Sequence, residues 1–416
     1  MSKVKIAVIG AGDRGKDRYG AYGHTHKDSV EFVAVAEPNP IRRADFVKQH
    51  HIKPENVFTS WNHLLAVDKL ADGVIIATQD DMHYDPTKLA LEKGYDVLLE
   101  KPMSNDLRET VQLGELAKKY DNTFMICHVL RYTPFFSKIK ALIDQGVIGD
   151  VMSVQHNENI AYYHMAHSFV RGNWRNSDES SPIILAKSCH DMDIILWLVG
   201  DRCKKISSFG SLSHFTEANQ PKGASDRCLT CHVEASCAYS AKKLYYKRLG
   251  TWPTTIVTDI QTEEALTEAL ENGPYGRCVY KCDNNVCDHQ VTVLTFENGI
   301  TATFNLSAFT EQQNRTLKIM GTKGEIRGID TLNQIEVRLF GQEEYKLIEP
   351  EVIAGGHNGG DTGIMNDFVS LLKGQEGKAL TSADISVESH LMAFAAEHSR
   401  QTGQTVDIKA FYNEMV

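Results

Sequence analysis

His190 is the side chain of this sequence best suited to acid–base chemistry. Histidine has an ordinary pKa of ~6.5, so it can accept or donate a proton near neutral pH. Lys187, His190 and Asp193 are spaced by three residues within an apolar segment, residues 183–198, which predicts one polar face on a helix. Burying such a face without partners is costly, so the pattern favours a site over a hydrogen-bonded core histidine. We expect His190 to be a general acid/base, Lys187 to contact substrate, and Asp193 to bind substrate hydroxyls or to orient a partner.

Lys101 is the second candidate and occurs in the sequence Glu100-Lys101-Pro102. It follows an apolar run, residues 96–99, that predicts a strand, and Pro102 disfavours helix at the residue before it. Ligands of open parallel sheets bind at the carboxyl ends of the strands. A lysine at that edge can donate a hydrogen bond to a substrate oxygen and stabilise the negative charge that develops there. A solvated lysine after a strand is the alternative.

A glycine-rich turn near the start of the chain predicts a phosphate site. Gly10, Gly12 and Gly15 follow an apolar strand-like run and open a helical segment, as in dinucleotide-binding fingerprints. The first glycine permits a tight turn, the second lets a pyrophosphate approach the backbone, and the third allows close helix–strand packing. Because a helix N-terminus adds free N–H groups, we expect the pyrophosphate to bind across this turn, which includes Asp13 and Arg14.

Glu37 predicts which dinucleotide binds. It ends the second apolar strand, about 20 residues beyond the glycine-rich turn, where a carboxylate can accept hydrogen bonds from the adenosine ribose hydroxyls. A carboxylate would repel a 2′-phosphate, so NAD is favoured over NADP. Arg42 and Arg43 lie close by in the sequence and leave NADP as the alternative.

The first third of the chain alternates strand-like and helical patterns. Strands are predicted at residues 5–9, 32–36, 73–77, 96–99 and 123–126, with helices at 39–50, 85–93 and 107–119. Solid apolar strands separated by helices indicate a parallel sheet covered on both faces. We therefore expect an α/β Rossmann domain with a doubly wound parallel sheet over residues 1–127.

The remaining chain has a different periodicity. Residues 290–296, 300–305, 316–320 and 334–339 alternate with a period of two, which predicts strands with one buried face. Helices are predicted at residues 361–372 and 383–399. We expect residues 128–416 to form an α+β domain with a large, mostly antiparallel open sheet that binds substrate and mediates oligomerisation. A cysteine-rich stretch, about residues 226–289, is predicted to be an insertion in it.

The chain resembles the glucose–fructose oxidoreductase, inositol dehydrogenase and rhizopine catabolism (Gfo/Idh/MocA) family over nearly its whole length. The matching residues are Gly10, Gly12, Gly15, Thr78, His83, Glu100, Lys101, Pro102, Arg131, His190 and Asp193. The resemblance implies hydride transfer between NAD(P) and a secondary hydroxyl of a sugar, a sugar derivative or a cyclitol. It also implies cofactor contacts from Thr78, His83, Glu100, Lys101 and Arg131.

Two departures from the family pattern leave a second reaction open. Thr78-Gln79-Asp80 replaces the usual Thr-Pro-Asn, and Ala186 stands where an aspartate often precedes the helix histidine by four residues. With that carboxylate absent, the alternative is a glycoside-cleaving enzyme with tightly bound NAD. In such an enzyme, transient oxidation of a sugar acidifies an adjacent C–H and permits elimination. The leading expectation is an NAD-dependent dehydrogenase acting on CH–OH groups.

Further substrate contacts are expected from a stretch rich in donors and aromatic rings, residues 164–176, and from the dipeptide Gly356-His357. Aromatic rings stack on sugar faces, and charged donors bind hydroxyls. The residues singled out are His167, Arg171, Trp174, Arg175 and His357. Each taken singly is also compatible with an ordinary loop residue.

Six cysteines of the insertion follow a metal-binding type of spacing. Cys228, Cys231 and Cys237 are followed by cysteines at positions 278, 282 and 287, a pattern similar to zinc or iron–sulfur sites. We expect a structural zinc held by the first three cysteines and by one of Cys278 or Cys282, with Cys282 taken as the fourth ligand. Reduced, partly buried thiols or adventitious disulfides are the alternative.

Composition excludes some partners. The net charge of −10 disfavours binding to nucleic acid and to anionic membranes, because both would repel the chain. No apolar run approaches the ~20 residues of a membrane-spanning helix, and the N-terminus lacks a secretory signal pattern. We expect a cytoplasmic protein that binds a small carbohydrate-like substrate and forms a homodimer or homotetramer.

Overall fold

The first sheet of the protein is parallel throughout and has six strands. In a computed structural model, residues 3–375, 377 and 379–415 are described. The strand order is β3-β2-β1-β4-β5-β6, which confirms a doubly wound Rossmann sheet. The strands are β1 (Val4–Ile9), β2 (Val30–Ala36), β3 (Val57–Phe58), β4 (Gly73–Ile76), β5 (Asp96–Leu99) and β6 (Phe124–Ile126). Because order reverses between β1 and β4, a crevice opens there at the carboxyl edge.

Helices cover both faces of this sheet. Capping side chains fix where two of them begin: Asn39 accepts hydrogen bonds from backbone N–H groups at the start of one helix, and Asp106 caps another. The helix after β1 begins as a wide π-helical segment. The helices are Asp13–Gly20 continuing into Ala21–Thr25, Pro40–His50, Trp61–Ala66, Tyr84–Glu92 and Leu107–Lys119.

The second sheet has nine strands in the order β14-β13-β12-β11-β7-β10-β9-β8-β15. Every pair is antiparallel except β7 with β10. The strands are β7 (Val151–Ala161), β8 (Cys203–Ser211), β9 (His289–Phe296), β10 (Thr301–Thr310), β11 (Asn314–Gly321), β12 (Gly324–Ile329), β13 (Gln334–Leu339), β14 (Lys346–Ile348) and β15 (Val406–Asp407). The expected large, mostly antiparallel sheet is confirmed. Strand β7 was not predicted, because its inward face carries polar residues such as His156 and Glu158.

The predicted helix over residues 183–198 is two helices. The first is Ile183–Ala186 and the second is Cys189–Val199, with a break at Lys187 and Ser188. His190 therefore lies in the first turn of the second helix. The expectation that Lys187 and His190 share one continuous helical face is wrong, because the break changes the helical phase between them.

The other helices of this half pack around the sheet, in the insertion or back on the first domain. They are Pro134–Asp144, Tyr162–His164 continuing into Met165–Arg171, Ala241–Tyr245, Thr254–Val257, Glu263–Asn272, Gly360–Leu372, Ala383–Thr402 and Ile408–Met415. Helix Gly360–Leu372 places Ile364 and Phe368 in the same apolar cluster as residues of β1 and β2. The two halves of the chain therefore share a core. Within the described ranges, no helix is both long and apolar enough to cross a membrane.

Candidate active site

The glycine-rich turn forms a tight, open cradle. Gly10 has a φ of 89°, and a Cβ there would lie 2.5 Å from the carbonyl oxygen of Ala77. A Cβ on Gly15 would lie 1.9 Å from the oxygen of Gly10, so only glycine permits this packing of helix on turn. A Cβ on Gly12, in contrast, would have its nearest neighbour 4.0 Å away, on Arg42. The backbone at Gly12 thus faces open space, which fits the approach of a dinucleotide pyrophosphate.

Glu37 lies at the carboxyl end of β2, next to this cradle. Its carboxylate accepts hydrogen bonds from the N–H of Ala11 at 2.7 Å and of Asn39 at 2.8 Å. The two nearby arginines are engaged elsewhere. Arg42 pairs with Asp259 at 2.8 Å, and Arg43 donates to backbone carbonyls, including that of Glu37 at 2.6 Å. The carboxylate of Glu37 is thus fixed beside the cradle, and both arginines already have partners.

Arg14 connects three elements below the cradle. It donates to Glu100 at 2.5 Å, to Tyr19 at 2.5 Å and to both oxygens of Asp361. Burial raises the pKa of Glu100, but the positive charges of Arg14 and Lys101 outweigh it and lower that pKa overall. Glu100 is therefore an anion that ties the end of β5 to the helix following β1.

Lys101 follows β5 and projects across the crevice to the second domain. Its Nζ donates to the backbone oxygen of Ala186 at 2.9 Å and lies 5.9 Å from the ring centre of Trp174. Ala186 occupies the position at which the resemblance led us to expect an aspartate, so a carbonyl oxygen takes the place of that carboxylate. An ammonium group has three donors, and the other two remain available to a substrate oxygen.

His83 and Thr78 hold the loops around Lys101. The two ring nitrogens of His83 lie 2.7 Å from the oxygen of Pro102 and 3.3 Å from that of Thr78. Thr78 also lines the cavity described below, whereas His83 does not. His83 therefore positions the backbone beside Lys101 and is not placed as a cofactor contact.

A cavity of about 390 Å³ lies between the two domains at the carboxyl edge of the parallel sheet. It unites residues that are far apart in sequence, with Lys101 on one wall and His190 on the other. Its lining residues are Asp13, Arg14, Arg18, Ala77, Thr78, Asp80, Glu100, Lys101, His164, Ser168, Phe169, Trp174, Ala186, Lys187, His190, Trp252, Gln313, Gly356 and His357. Of the predicted substrate contacts, Lys101, Trp174, Lys187, His190 and His357 are thus brought together.

His190 is buried beside other imidazoles. Its ring centre lies 5.8 Å from that of His128 and 5.9 Å from that of His357. Its Nδ1 atom is buried and has no hydrogen-bond partner among the described residues. Burial and the positive charge of Lys101 hold the pKa of His190 well below its ordinary value, so the ring is neutral near pH 7.

Asp193 and Arg131 are placed away from the cavity. Arg131 forms a bidentate, buried ion pair with Asp193, at 2.7 and 2.6 Å. This pair fastens the turn after β6 to helix Cys189–Val199. Because both groups are already satisfied by each other, the expectations of a substrate contact from Asp193 and a cofactor contact from Arg131 do not hold in this geometry.

Three other predicted substrate contacts also lie outside the cavity. His167 stacks on Tyr275 in the insertion, with ring centres 4.8 Å apart. Arg175 forms an ion pair with Asp283 at 2.8 Å on the surface. Arg171 is buried next to the cysteines of the insertion. Sequence proximity to Trp174 suggested these roles. The same segment lines the cavity with His164, Ser168 and Phe169 as well as Trp174, but it directs His167, Arg171 and Arg175 away from it.

Several residues of the cavity had not been singled out individually from the sequence. Asp80 is buried and accepts hydrogen bonds from Trp174 Nε1 at 3.2 Å and from Ser181 Oγ at 2.7 Å. His164 lies 2.6 Å from the side-chain oxygen of Gln313. Asp80 was noticeable as a departure in the Thr78-Gln79-Asp80 sequence, whereas nothing in the sequence indicates that Gln313 reaches the site.

A second cavity, of about 400 Å³, adjoins the first along the glycine-rich turn. Asp13, Arg18 and Trp252 line both cavities. Its outer wall is residues 250–261 of the insertion, and Asp259 in this segment binds Asn39 and Arg42 beside Glu37. One segment of the insertion therefore covers the groove that a dinucleotide would occupy.

The predicted zinc site is not supported. Among the described residues, no group of three or more His, Cys, Asp or Glu side chains is arranged to hold a metal ion. Cys228, Cys231 and Cys237 do line one small space, but the fourth cysteine there is Cys278. Cys282 donates its thiol hydrogen bond to the backbone oxygen of Cys278 at 3.3 Å and does not line that space.

Two family models match consecutive parts of the chain. The model described as "Oxidoreductase family, NAD-binding Rossmann fold" matches residues 4–128. The model described as "Oxidoreductase family, C-terminal alpha/beta domain" matches residues 140–408. Both are models of the Gfo/Idh/MocA oxidoreductases, and together they cover most of the chain.

Individual proteins resemble the chain in sequence or in fold. YteT of Bacillus subtilis, provisionally named an oxidoreductase, is 27% identical over 357 residues, which are 81% of this chain and 82% of YteT. Inositol 2-dehydrogenase of Corynebacterium glutamicum is 26% identical over 209 residues, 49% of this chain and 56% of that enzyme. Levoglucosan dehydrogenase in complex with NADH and levoglucosan superposes with a TM-score of 0.72 at 18% identity, covering 98% of this chain and all of that one.

Proposed function

This chain belongs to the Gfo/Idh/MocA family of NAD-binding oxidoreductases, and on that premise we propose that it is an NAD-dependent dehydrogenase of a carbohydrate. The reaction is hydride transfer between the cofactor and a secondary hydroxyl of a sugar, a sugar derivative or a cyclitol. The observation that carries the proposal is the cavity beyond the glycine-rich turn that Lys101 and His190 both line.

His190 and Lys101 divide the work on the substrate hydroxyl. His190 is neutral because its pKa is lowered, so it can accept the hydroxyl proton as the carbon becomes a carbonyl. Lys101, fixed by Ala186, donates a hydrogen bond to the same oxygen and stabilises its growing negative charge. Bound NAD+ would supply the hydride acceptor. In the reverse direction His190 returns the proton to the oxygen.

NAD is the proposed cofactor rather than NADP. Gly10, Gly12 and Gly15 shape the pyrophosphate cradle, and Glu37 is available to the ribose hydroxyls of the adenosine half. The arginines that would favour a 2′-phosphate, Arg42 and Arg43, are bound to Asp259 and to backbone carbonyls. Asp13, Arg14, Thr78 and Glu100 complete the cofactor side of the cavity.

The substrate class follows from the remaining walls of the cavity. Trp174 and Trp252 offer flat apolar surfaces on which a sugar ring can stack. Lys187, His164 and His357 supply donors and acceptors for hydroxyl groups. A mixture of rings and polar groups around a volume of about 390 Å³ suits one sugar or cyclitol unit.

The test is a panel of sugars, glycosides and cyclitols incubated with the protein and NAD+, with NADH followed by its fluorescence. We expect a substrate that yields NADH with wild-type protein and with Lys118→Met, an exposed-lysine control, but not with Lys101→Met. Absence of any cofactor reduction across the panel, or equal activity of the two lysine variants, would contradict the proposal.

A second candidate is a glycoside-cleaving enzyme that retains its NAD. The cover formed by residues 250–261 over the cofactor groove favours it, because Asp259 ties that cover to Asn39 and Arg42. The sugar would be oxidised, lose a proton from the carbon next to the new carbonyl and expel its aglycone, after which water adds and the hydride returns. NAD found in the protein after gel filtration, with aglycone released and no net NADH, would favour this candidate over the dehydrogenase.

The second sheet supports the proposal that the protein forms dimers or tetramers. Phe209 on β8 pairs with Val291 on β9, and Val293 on β9 and Phe309 on the neighbouring strand β10 are exposed as well. These side chains are 40–60% exposed. Exposed apolar patches of this kind mark association surfaces. Light scattering at micromolar concentration tests this, and Phe209→Lys should shift an assembly toward monomer.

A further inference from the structure

A second imidazole, that of His357, lies in the cavity that His190 lines. The two ring centres are 5.9 Å apart. Imidazoles at this separation can exchange a proton directly or through one water molecule. The side chain of His357 is 38% exposed, whereas His190 is buried. One member of the pair is therefore enclosed by protein, and the other also reaches solvent.

Asp361 determines which nitrogen of His357 carries the hydrogen. Nδ1 of His357 lies 3.0 Å from Oδ1 of Asp361. Burial raises the pKa of Asp361, but Arg14 and His357 outweigh this effect and lower that pKa overall, so the group is a carboxylate. Because a carboxylate only accepts hydrogen bonds, Nδ1 carries the hydrogen and Nε2 keeps a lone pair that can accept a proton.

The backbone around His357 adopts uncommon conformations. His357 has a φ of 49° and Asn358 a φ of 52°, in the left-handed region that few non-glycine residues adopt. A Cβ at Gly356 would overlap Oδ2 of Asp361, so only glycine there lets the carboxylate approach. Such conformations persist where surrounding contacts hold them, and they cluster at functional sites. The loop is thus shaped around the contact between His357 and Asp361.

Oxidation of an alcohol leaves a proton that the protein has to release. In the proposed function His190 takes this proton, and it must be neutral again before the next turnover. Burial and the positive charge of Lys101 lower the pKa of His190, so it gives up a proton readily. The ring is buried, however, and a sugar bound in the cavity would cover it further. His190 therefore needs a neighbour that leads to water.

The other imidazole beside His190 leads into the core. His128 is fully buried, and its ring centre is 5.3 Å from that of His390, which is also fully buried. Burial lowers the pKa of both rings and disfavours a proton there. Burial lowers the pKa of His357 too, but the carboxylate of Asp361 opposes this effect. Of the two neighbours of His190, His357 is the better acceptor and the one that reaches solvent.

We propose that His357 is the proton exit of this site: it takes the proton from His190 and passes it to water, and Asp361 positions its ring. The inference rests on the proposed dehydrogenase function. The hydroxyl O–H bond breaks as an N–H bond forms on His190. That N–H bond then breaks as one forms at Nε2 of His357, and water takes the proton. The hydride goes to NAD+, so protons and electrons balance, and carbonyl reduction uses the same path in reverse.

Stopped-flow measurement of NADH fluorescence, together with a pH-indicator dye in weak buffer, tests the proposal. The variant is His357→Asn, because asparagine tolerates the left-handed conformation and relays no proton near neutral pH. We expect its first turnover to yield NADH at the wild-type rate. Proton release and steady-state kcat should fall about 10²-fold, the lower end for a positioned proton-transfer group. Added imidazole buffer should restore kcat. An unchanged rate of proton release would overturn the proposal.

Asn358→Gly is the matched control, since it changes the next residue of the same loop and permits the same φ. It should behave as wild type. A rise in KM at unchanged kcat in His357→Asn would place His357 on a substrate hydroxyl and overturn the proton exit.

A measurement without substrate separates this inference from the proposed function. Nitrogen-15 NMR of the neutral His357 ring should show the hydrogen on Nδ1, and a hydrogen on Nε2 instead would overturn the proton exit. Failure of the wild-type protein to form NADH with any sugar of the panel would contradict the dehydrogenase proposal itself.

Discussion

The two walls of the cavity are held in different ways. The Rossmann wall depends mainly on local features, the turn at Gly10 and the strand end before Lys101, and Arg14 adds ion pairs with Glu100 and Asp361. The opposite wall depends on buried ion pairs between distant parts of the chain. Arg315 on β11 binds Asp191 at 2.7 Å and Glu158 on β7 at 2.6 Å.

This difference explains which charged residues face the cavity. On the Rossmann wall, Glu100, the charged residue next to Lys101 in sequence, does line the cavity. On the other wall, the aspartates that flank His190 point into the domain, Asp191 toward Arg315 and Asp193 toward Arg131. Charges buried in a core must be paired, so sequence proximity to a catalytic candidate does not by itself place a carboxylate in the site.

The greatest loss of activity is expected from substitution of His190. Among His190, Asp191 and Asp193, only His190 lines the cavity. His190→Ala should lower kcat by about 10²- to 10⁴-fold, because the proton acceptor is lost. Because the substitution removes a buried ring, circular dichroism checks that the variant is folded. Steady-state kinetics on a substrate from the panel measures this, with the exposed His63→Ala as control. A loss of only a few-fold would show that another group takes the proton.

Asp193→Asn tests whether Asp193 stabilises the fold and does not contact substrate. Breaking the buried pair with Arg131 should lower the free energy of unfolding by roughly 3–5 kcal/mol and leave KM nearly unchanged. Urea unfolding monitored by fluorescence measures it. The surface control Glu325→Gln, which breaks exposed pairs with Lys318 and Arg327, should cost under ~1 kcal/mol. A large rise in KM without loss of stability would instead support a substrate contact.

Glu37→Gln tests the cofactor end of the Rossmann wall. Hydrogen bonds to a charged group contribute ~1.5–3 kcal/mol, so NADH affinity should fall about ten- to a hundredfold while NADPH affinity rises. Fluorescence titration with both cofactors measures the change. Glu31→Gln, exposed on the same strand, should leave both affinities unchanged. Equal loss of NADH and NADPH binding would mean that Glu37 only supports the turn.

The pH profile of the reaction reports on the burial of His190. This residue acts as a base only when neutral, and its lowered pKa extends the neutral form below pH 6.5. We expect kcat/KM for alcohol oxidation to stay level down to about pH 6.5 and to fall only below it. In Lys101→Met the pKa of His190 should rise, because a nearby positive charge is removed, and NMR titration of the imidazole measures this rise without requiring activity. A limb centred above pH 6.5 in the wild type would contradict the assignment.

Substitution of Arg175 is expected to have almost no effect. Its ion pairs with Asp283 and Glu179 are on the surface and outside the cavity. Arg175→Gln should therefore leave kcat, KM and cofactor affinity unchanged and alter stability by no more than ~1 kcal/mol. Kinetic measurements in parallel with His190→Ala provide the comparison. A marked rise in KM would indicate that Arg175 contacts substrate after all.

Local sequence patterns specify the Rossmann half in detail. Strand positions, the glycine-rich turn and the location of Lys101 follow from patterns within a few residues, since apolar runs and glycine turns act locally. The alternating strands of the second domain were predictable for the same reason. Strand β7 was not, because its buried Glu158 and His156 are stable only beside Arg315 and Asp191, partners brought by other elements.

Long-range packing, in contrast, determines which polar residues share the cavity. The break at Lys187 and Ser188, the burial of Asp193 on Arg131, and the position of Cys278 in place of Cys282 all depend on contacts between distant elements. A buried charge lies where its partner is, and that partner is distant in sequence. His190 was identifiable from its type and spacing, but its neutral state comes from the domains that enclose it.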